Sequence, residues 1–461
     1  MKKKKFRLFD AILATVCITL VAESVMPTAA IGNSQYFWWI FLIIGFCVPY
    51  GMISAELGTA YPSEGGMYDW VKRAFGPKWA ARVAWNYWIN FPLWIASLAV
   101  AVTDVIAGIF DIELSLFWLL VLQLGYTWLV SLLGTQRIGE SKWIVNIGTF
   151  FKIAFMVGLG FLGIYVYIKT GESANPIAST ADLLPSMDLA GLSFLSIIIF
   201  NFLGFEVVAT FTDDMENPKK EIPKALIIGG ALMALFYVLP ATGINIAMSM
   251  EDAEASGITE SFMILLTKLG MNADLVRIFV IVVGLMFIYT MVANIVSWSF
   301  GVNSVAKYSA DDGGLPKLFS KTNKEGVPYM ASILNGAVAS VIIIVGVFLD
   351  RYTGASNLFW TFLSLSLVTL LVGYIPMFLA FLKLRRVDGK TPRVYKVPGG
   401  NGFLKVFAIV PFVLLILGVI FTLFGDFTPE FIGDNLPLIV GVIISFIIEE
   451  ILVAKVKTKK S

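Results

Sequence analysis

Long apolar runs separated by short polar segments dominate the chain, and the period-2 alternation of half-buried strands does not recur. A membrane-spanning helix needs about 20 mostly apolar residues. Twelve runs meet that length. They are Phe9–Ile31, Phe37–Thr59, Trp79–Phe110, Leu114–Gly134, Trp143–Ile168, Gly191–Asp213, Pro223–Met248, Asp274–Lys307, Pro328–Leu349, Leu358–Leu382, Phe403–Phe424 and Leu436–Val453. The pattern predicts an all-α integral membrane protein with 12 transmembrane helices. The third and eighth runs exceed the thickness of a bilayer, so they must tilt or project beyond it. Ile258–Leu269 reads as a short surface helix.

Composition agrees: 58% of the 461 residues are apolar and only 14% are charged, too little polar surface for a water-soluble chain. A net charge of +2 gives no reason to expect nucleic acid as a partner. With no histidine, His-based triads, proton relays and His metal sites are excluded. Cys17 and Cys47 lie in apolar runs and suggest no disulfide framework. No metal site or cofactor is expected. Phe9–Ile31 resembles a secretory signal, but its length, Glu23 and the eleven later runs identify a retained helix.

Lys and Arg set the orientation. With the N-terminus inside, inner segments hold 29 of the 34 basic residues. Outer segments hold Lys169, Lys268, Arg277 and Arg351, and Lys152 lies within a span. Both termini are therefore expected in the cytoplasm. The longest connections, 170–190, 249–273, 308–327 and 383–402, are too short for a soluble catalytic domain.

Two spans carry a carboxylate beside a helix-weakening residue. Glu23 lies three residues past the middle of the first span, about 5 Å from the midplane, in Ala22-Glu23-Ser24-Val25-Met26-Pro27. Glu206 lies four residues past the middle of the sixth, two residues after Gly204. A mid-membrane charge costs on the order of 2.5–3.5 kcal/mol on insertion scales, so each needs a reason. Pro27 removes a helical hydrogen bond and Gly204 weakens the helix locally. An offset of five spans makes the second copy run the opposite way through the membrane. That is the arrangement of an inverted-repeat carrier with two discontinuous helices. For each carboxylate, a purely structural hydrogen-bonding role stands as the alternative.

At these residues, and in three connecting segments, the chain resembles the amino acid–polyamine–organocation (APC) superfamily. The segments are Tyr61-Pro62-Ser63-Glu64-Gly65-Gly66-Met67-Tyr68, Glu216-Asn217-Pro218-Lys219-Lys220-Glu221-Ile222-Pro223 and Ala310-Asp311-Asp312-Gly313-Gly314-Leu315-Pro316. They follow the second, sixth and eighth spans in order. The resemblance implies a leucine-transporter-type 5+5 inverted repeat with discontinuous helices 1 and 6, working by alternating access. One transmembrane unit would fill 1–461, with repeats over 9–168 and 191–382 and two additional helices over 403–453.

One departure is informative. Amino acid carriers of this superfamily keep Gly-Ser-Gly at the first break, where freed amides hold the substrate carboxylate. Here Ala22-Glu23-Ser24 stands in its place. Like charges at 4 Å cost about 1 kcal/mol even in water and more in a drier site. A cationic substrate resolves the conflict, and polyamine-type members supply putrescine and agmatine. The binding candidates are Ala22, Glu23 and Ser24 at the first break, with Phe200, Asn201, Gly204 and Glu206 at the second. Trp94 and Ser97 join them from the third span, and Trp298 falls where relatives place a pocket tryptophan. For Trp298, simple packing is the alternative.

Coupling or gating candidates are Lys152, Glu206 and Asp104. Some proton-coupled relatives carry a fifth-span lysine where sodium-coupled ones bind sodium. By that likeness Lys152 ties the fifth span to the first and eighth, and stands open between structural cation and proton carrier. Asp104 attracts incoming cations or simply sits among outer headgroups. Glu56, Asp213 and Asp214 lie at inner helix ends and are expected to pair with nearby Lys or Arg.

The reading is a secondary active transporter of small organic cations in a bacterial plasma membrane, a polyamine or agmatine/putrescine exchanger. Its partners are the amine and the lipid bilayer, and the protein acts as a monomer or homodimer. The rival within the superfamily is an amino acid permease in which Glu23 is protonated. A membrane enzyme lacks supporting motifs, and a channel does not account for paired breaks.

Overall fold

The computed structural model describes residues 8–185, 195–204, 206–207, 217–353, 358–425 and 427–457. Its regular elements are helical throughout these residues. The first run is α1 (Leu8–Thr19), a 3-10 turn at Ala22–Ser24 and α2 (Val25–Ala29). The second is α3 (Gln35–Leu42), a π turn (Ile43–Cys47) and α4 (Val48–Ala60). Then come α5 (Met67–Phe75), α6 (Pro77–Phe110), α7 (Leu116–Leu133), α8 (Ile138–Thr170), α9 (Leu195–Phe200) and α10 (Pro218–Ala247). The chain continues with α11 (Met250–Ala255), α12 (Ile258–Lys268), α13 (Ala273–Asp311), α14 (Tyr329–Thr353) and α15 (Leu358–Val387). It ends with α16 (Asn401–Phe424), α17 (Pro429–Asp434) and α18 (Leu436–Ala454).

Among the described residues, ten helices are long and apolar enough to cross a membrane, and the bent α1–α2 pair makes an eleventh. The chain is a multi-pass membrane protein. The expected sixth span is described only in part, and Asp213 and Asp214 lie outside the described residues. The anticipated surface helix is α12. At 34 and 39 residues, α6 and α13 are the over-long spans anticipated, and α8, at 33 residues, is a third.

The first expected break is present, and at the second the helix stops where expected, its continuation lying outside the described residues. The two halves of the first span meet at 45°. Pro27 lies in the first turn of α2, where its missing amide is tolerated, so it blocks a continuous helix and permits a new start. Thr15 and Thr19 return their hydroxyls to the Ala11 and Thr15 carbonyls, a habit that bends helices. The second break follows Phe200. Gly204 has φ +101°, which L side chains rarely adopt, and a Cβ there would lie 2.9 Å from the Trp298 ring and 3.0 Å from Ile18. The two breaks and α13 therefore touch.

Two of the three motif segments prove to be partners. Tyr68 and Lys72 of α5 bond Asp312 at 2.5 and 2.6 Å, and Gly314 lies against Tyr68 with no room for a Cβ. Glu56 is buried and paired with Arg385 and Arg393, as its position at a helix end suggested. Where α8 crosses α10, a Cβ on Gly163 would overlap the Gly243 backbone, and one on Gly243 the Gly160 backbone. Small residues at such crossings let membrane helices approach closely. Gly163→Val should therefore destabilise the protein by at least ~1–3 kcal/mol, seen as a lower melting temperature in detergent. An unchanged melting temperature would mean that the helices do not approach this closely.

Candidate functional site

A helix that ends inside a bundle leaves its last carbonyls without amide partners, and in a membrane these need donors from the protein. The end of α1 is satisfied carbonyl by carbonyl. Val16 accepts from the Leu20 amide at 2.8 Å. Cys17 accepts from Lys152 Nζ at 2.8 Å and Asn294 Nδ2 at 3.0 Å. Ile18 accepts from Asn294 Nδ2 and Trp298 Nε1, both at 3.2 Å. Thr19 accepts from the Tyr237 hydroxyl at 2.8 Å, and that hydroxyl in turn accepts from the Val21 amide at 2.7 Å. Leu20 accepts from Lys152 Nζ at 2.5 Å.

Lys152 is thus a buried cation at the negative end of a helix. It ties α8 to the first break, and Asn294 of α13 shares the Cys17 carbonyl with it. Ser24 Oγ lies 2.5 Å from Asn201 Oδ1, joining the two breaks directly. Ala22 is fully buried in the 3-10 turn.

A small cavity of about 10 Å³ lies against this junction, lined by Ile18, Val21, Asn90, Trp94, Phe200, Leu203, Trp298, Ser366 and Leu370. Three anticipated residues therefore meet there. Trp94 and Phe200 pack edge to face at 5.6 Å. Trp298 lies parallel to Phe91 and close to parallel with Tyr87, at 6.4 and 6.1 Å. Ser97 is absent from this wall, and its hydroxyl bonds the Phe359 carbonyl at 3.1 Å.

The two carboxylates do not share this cavity. Glu23 faces a second one of about 390 Å³, together with Asp104, Glu254 and Glu260 and the rings of Phe287, Phe359 and Trp360. Among the described residues no Lys or Arg lines it. Glu23 makes no direct ion pair among the described residues, and the Lys152 ammonium acts on it only through space. Glu206 is buried and receives three tyrosine hydroxyls: Tyr87 at 3.0 Å, with Tyr50 and Tyr374 in closer contact. Sequence reasoning missed Tyr50, Tyr87, Tyr374, Tyr237, Asn90 and Asn294. Asn90 and Asn294 were visible as amides within apolar runs, whereas nothing local separates these tyrosines from ordinary packing aromatics.

The family described as Amino acid permease matches residues 6–448. The chain belongs to this family. Among relatives, the permease is 43% identical over 457 residues to "Probable agmatine/putrescine antiporter AguD" of Lactococcus lactis subsp. lactis, covering 98% of this chain and 95% of that one. It is 27% identical over 406 residues to "Lysine-specific permease LysP" of Lactococcus lactis subsp. cremoris, covering 84% and 76%. Its fold is similar to the crystal structure of the Eremococcus coleocola manganese transporter in complex with an aromatic bis-isothiourea substituted compound. That match has a TM-score of 0.58 at 12% identity, covering 96% of this chain and 95% of the other.

Lys152→Met removes a charged donor from two buried carbonyls of the permease. Hydrogen bonds to charged groups contribute about 1.5–3 kcal/mol, so the variant should melt well below wild type in detergent. Equal melting temperatures would show that the break does not depend on this lysine.

Proposed function

We propose that this permease exchanges small organic cations, with agmatine and putrescine as the substrate pair. The observation that carries the reading is Glu23. It stands at the broken first helix, faces a cavity rich in carboxylates, and lacks a basic partner in that wall. A substrate carboxylate entering there meets repulsion, and an ammonium or guanidinium group meets attraction. The relative named for agmatine/putrescine antiport supports the same chemistry.

In this reading both termini are cytoplasmic and the membrane is a bacterial plasma membrane. The breaks at Ala22–Ser24 and Asn201–Gly204 belong to inverted repeats over 9–168 and 191–382, followed by two helices over 403–453. The wall of Glu23, Asp104, Glu254 and Glu260 then opens outward and Glu206 lies on the inner side of Trp298. A cation passing from Glu23 to the tryptophan cavity exchanges one stabilising group for the next. The protein is a carrier and performs no covalent chemistry. Lys152 takes the place of a bound sodium ion, because its ammonium already neutralises the carbonyl end of α1.

Two results test this. In proteoliposomes loaded with unlabelled putrescine, uptake of labelled agmatine should accelerate, and replacing sodium by choline should not slow it. Strict sodium dependence would contradict the role given to Lys152. Glu23→Gln keeps the shape and deletes the charge. Breaking a buried charge pair typically costs about 3–5 kcal/mol, so agmatine affinity should fall by about 100-fold or more. Full affinity in Glu23→Gln would mean that Glu23 does not meet the cation.

A further inference from the structure

We infer that Asn90 is a specificity-determining residue whose side-chain oxygen accepts an N–H of the bound amine; this rests on the cationic-substrate reading above. Asn90 sits in α6, is 1% exposed, and lines the tryptophan cavity. Its carboxamide nitrogen donates to the Tyr87 carbonyl at 2.6 Å and the Asn86 carbonyl at 3.4 Å. Main-chain carbonyls only accept, so the nitrogen must face them and the amide cannot be reversed. The oxygen is thereby fixed on the other side, where it accepts no hydrogen bond among the described residues.

The other side-chain N–H groups of this wall are already committed. Trp94 Nε1 donates to Asn294 Oδ1 at 3.0 Å, and Trp298 Nε1 donates to the Ile18 carbonyl at 3.2 Å. Ser366 offers a hydroxyl, which can donate or accept. Among the described residues the wall therefore presents a fixed acceptor and no uncommitted side-chain N–H. A carboxylate finds little to bond there, whereas an ammonium or guanidinium group finds the Asn90 oxygen. An acceptor without a protein partner at a cavity wall is open to a ligand N–H. At about 10 Å³ the cavity has room for roughly one water, so it must widen as the amine enters.

The placement also connects this acceptor to the buried carboxylate. Tyr87, which bonds Glu206, is three residues before Asn90 on the same helix, and its carbonyl holds the Asn90 amide. Residues three apart share a helix face. Asn90 thus selects by a neutral dipole, separately from the charges at Glu23 and Glu206.

The test is calorimetric binding of putrescine and n-butylamine to purified wild type, Asn90→Ala and Asn90→Thr. In n-butylamine a hydrogen replaces one ammonium, and the remaining ammonium goes to a carboxylate. Asn90→Ala should weaken putrescine by ~10–100-fold, the loss expected for a hydrogen bond to a charged group, and leave n-butylamine nearly unchanged. Asn90→Thr keeps an oxygen and a bond to the helix backbone, so it should retain most of the putrescine affinity. Equal putrescine affinity in wild type and Asn90→Ala would overturn the assignment. So would a parallel loss of both amines in Asn90→Ala, or a loss in Asn90→Thr as large as in Asn90→Ala. A wild-type protein that binds neither amine would overturn the cationic reading and this inference with it.

Discussion

The carbonyls at the end of α1 need donors where no water supplies them. Four side chains from three helices provide these: Lys152 from α8, Tyr237 from α10, and Asn294 and Trp298 from α13. Much of the central packing follows from that need. Helix α8 must lie close enough for a lysine to reach two carbonyls. Trp298 must turn its nitrogen toward Ile18, which brings its ring against Gly204 and fixes a glycine there. The break is held open by the same residues that build the cavity wall.

That arrangement also decides where charge is left over. Lys152 is the one basic residue deep in the bundle by sequence, and its hydrogen bonds go to backbone carbonyls. It makes no direct ion pair with either carboxylate among the described residues, although its charge acts on Glu23 through space. Glu206 is held by neutral hydroxyls, which stabilise a carboxylate without cancelling its charge. Glu23 shares its cavity with three more acids. An imbalance of this kind around broken helices favours a ligand that brings positive charge, and the acceptor at Asn90 favours one that brings N–H groups.

Much of this was legible in the chain. Length and hydropathy mark the spans, Pro27 and Gly204 mark the breaks, and charges inside apolar runs mark Glu23, Lys152 and Glu206. What could not be read was which groups meet. Tyr50, Tyr87 and Tyr374 come from three helices, and their convergence on Glu206 depends on rotations and tilts that a linear pattern does not encode. The same limit hid Tyr237 and Asn294, whose roles exist only relative to the α1 carbonyls. Nor did the sequence reveal that Glu23 and Glu206 lie at separate places. Their symmetry along the chain suggested a shared pocket, but Glu23 turns to the larger cavity while Glu206 is enclosed by tyrosines.

The central claim is that the site is built for a cation without a carboxylate. Arginine and agmatine carry the same guanidinium group and differ by one carboxylate, so they isolate that feature. Competition between them for purified wild-type protein at neutral pH is the most direct measurement. Agmatine should displace arginine and bind at least tenfold more tightly, the ratio set by about 1.4 kcal/mol of carboxylate repulsion. Equal affinities, or a preference for arginine, would contradict the account.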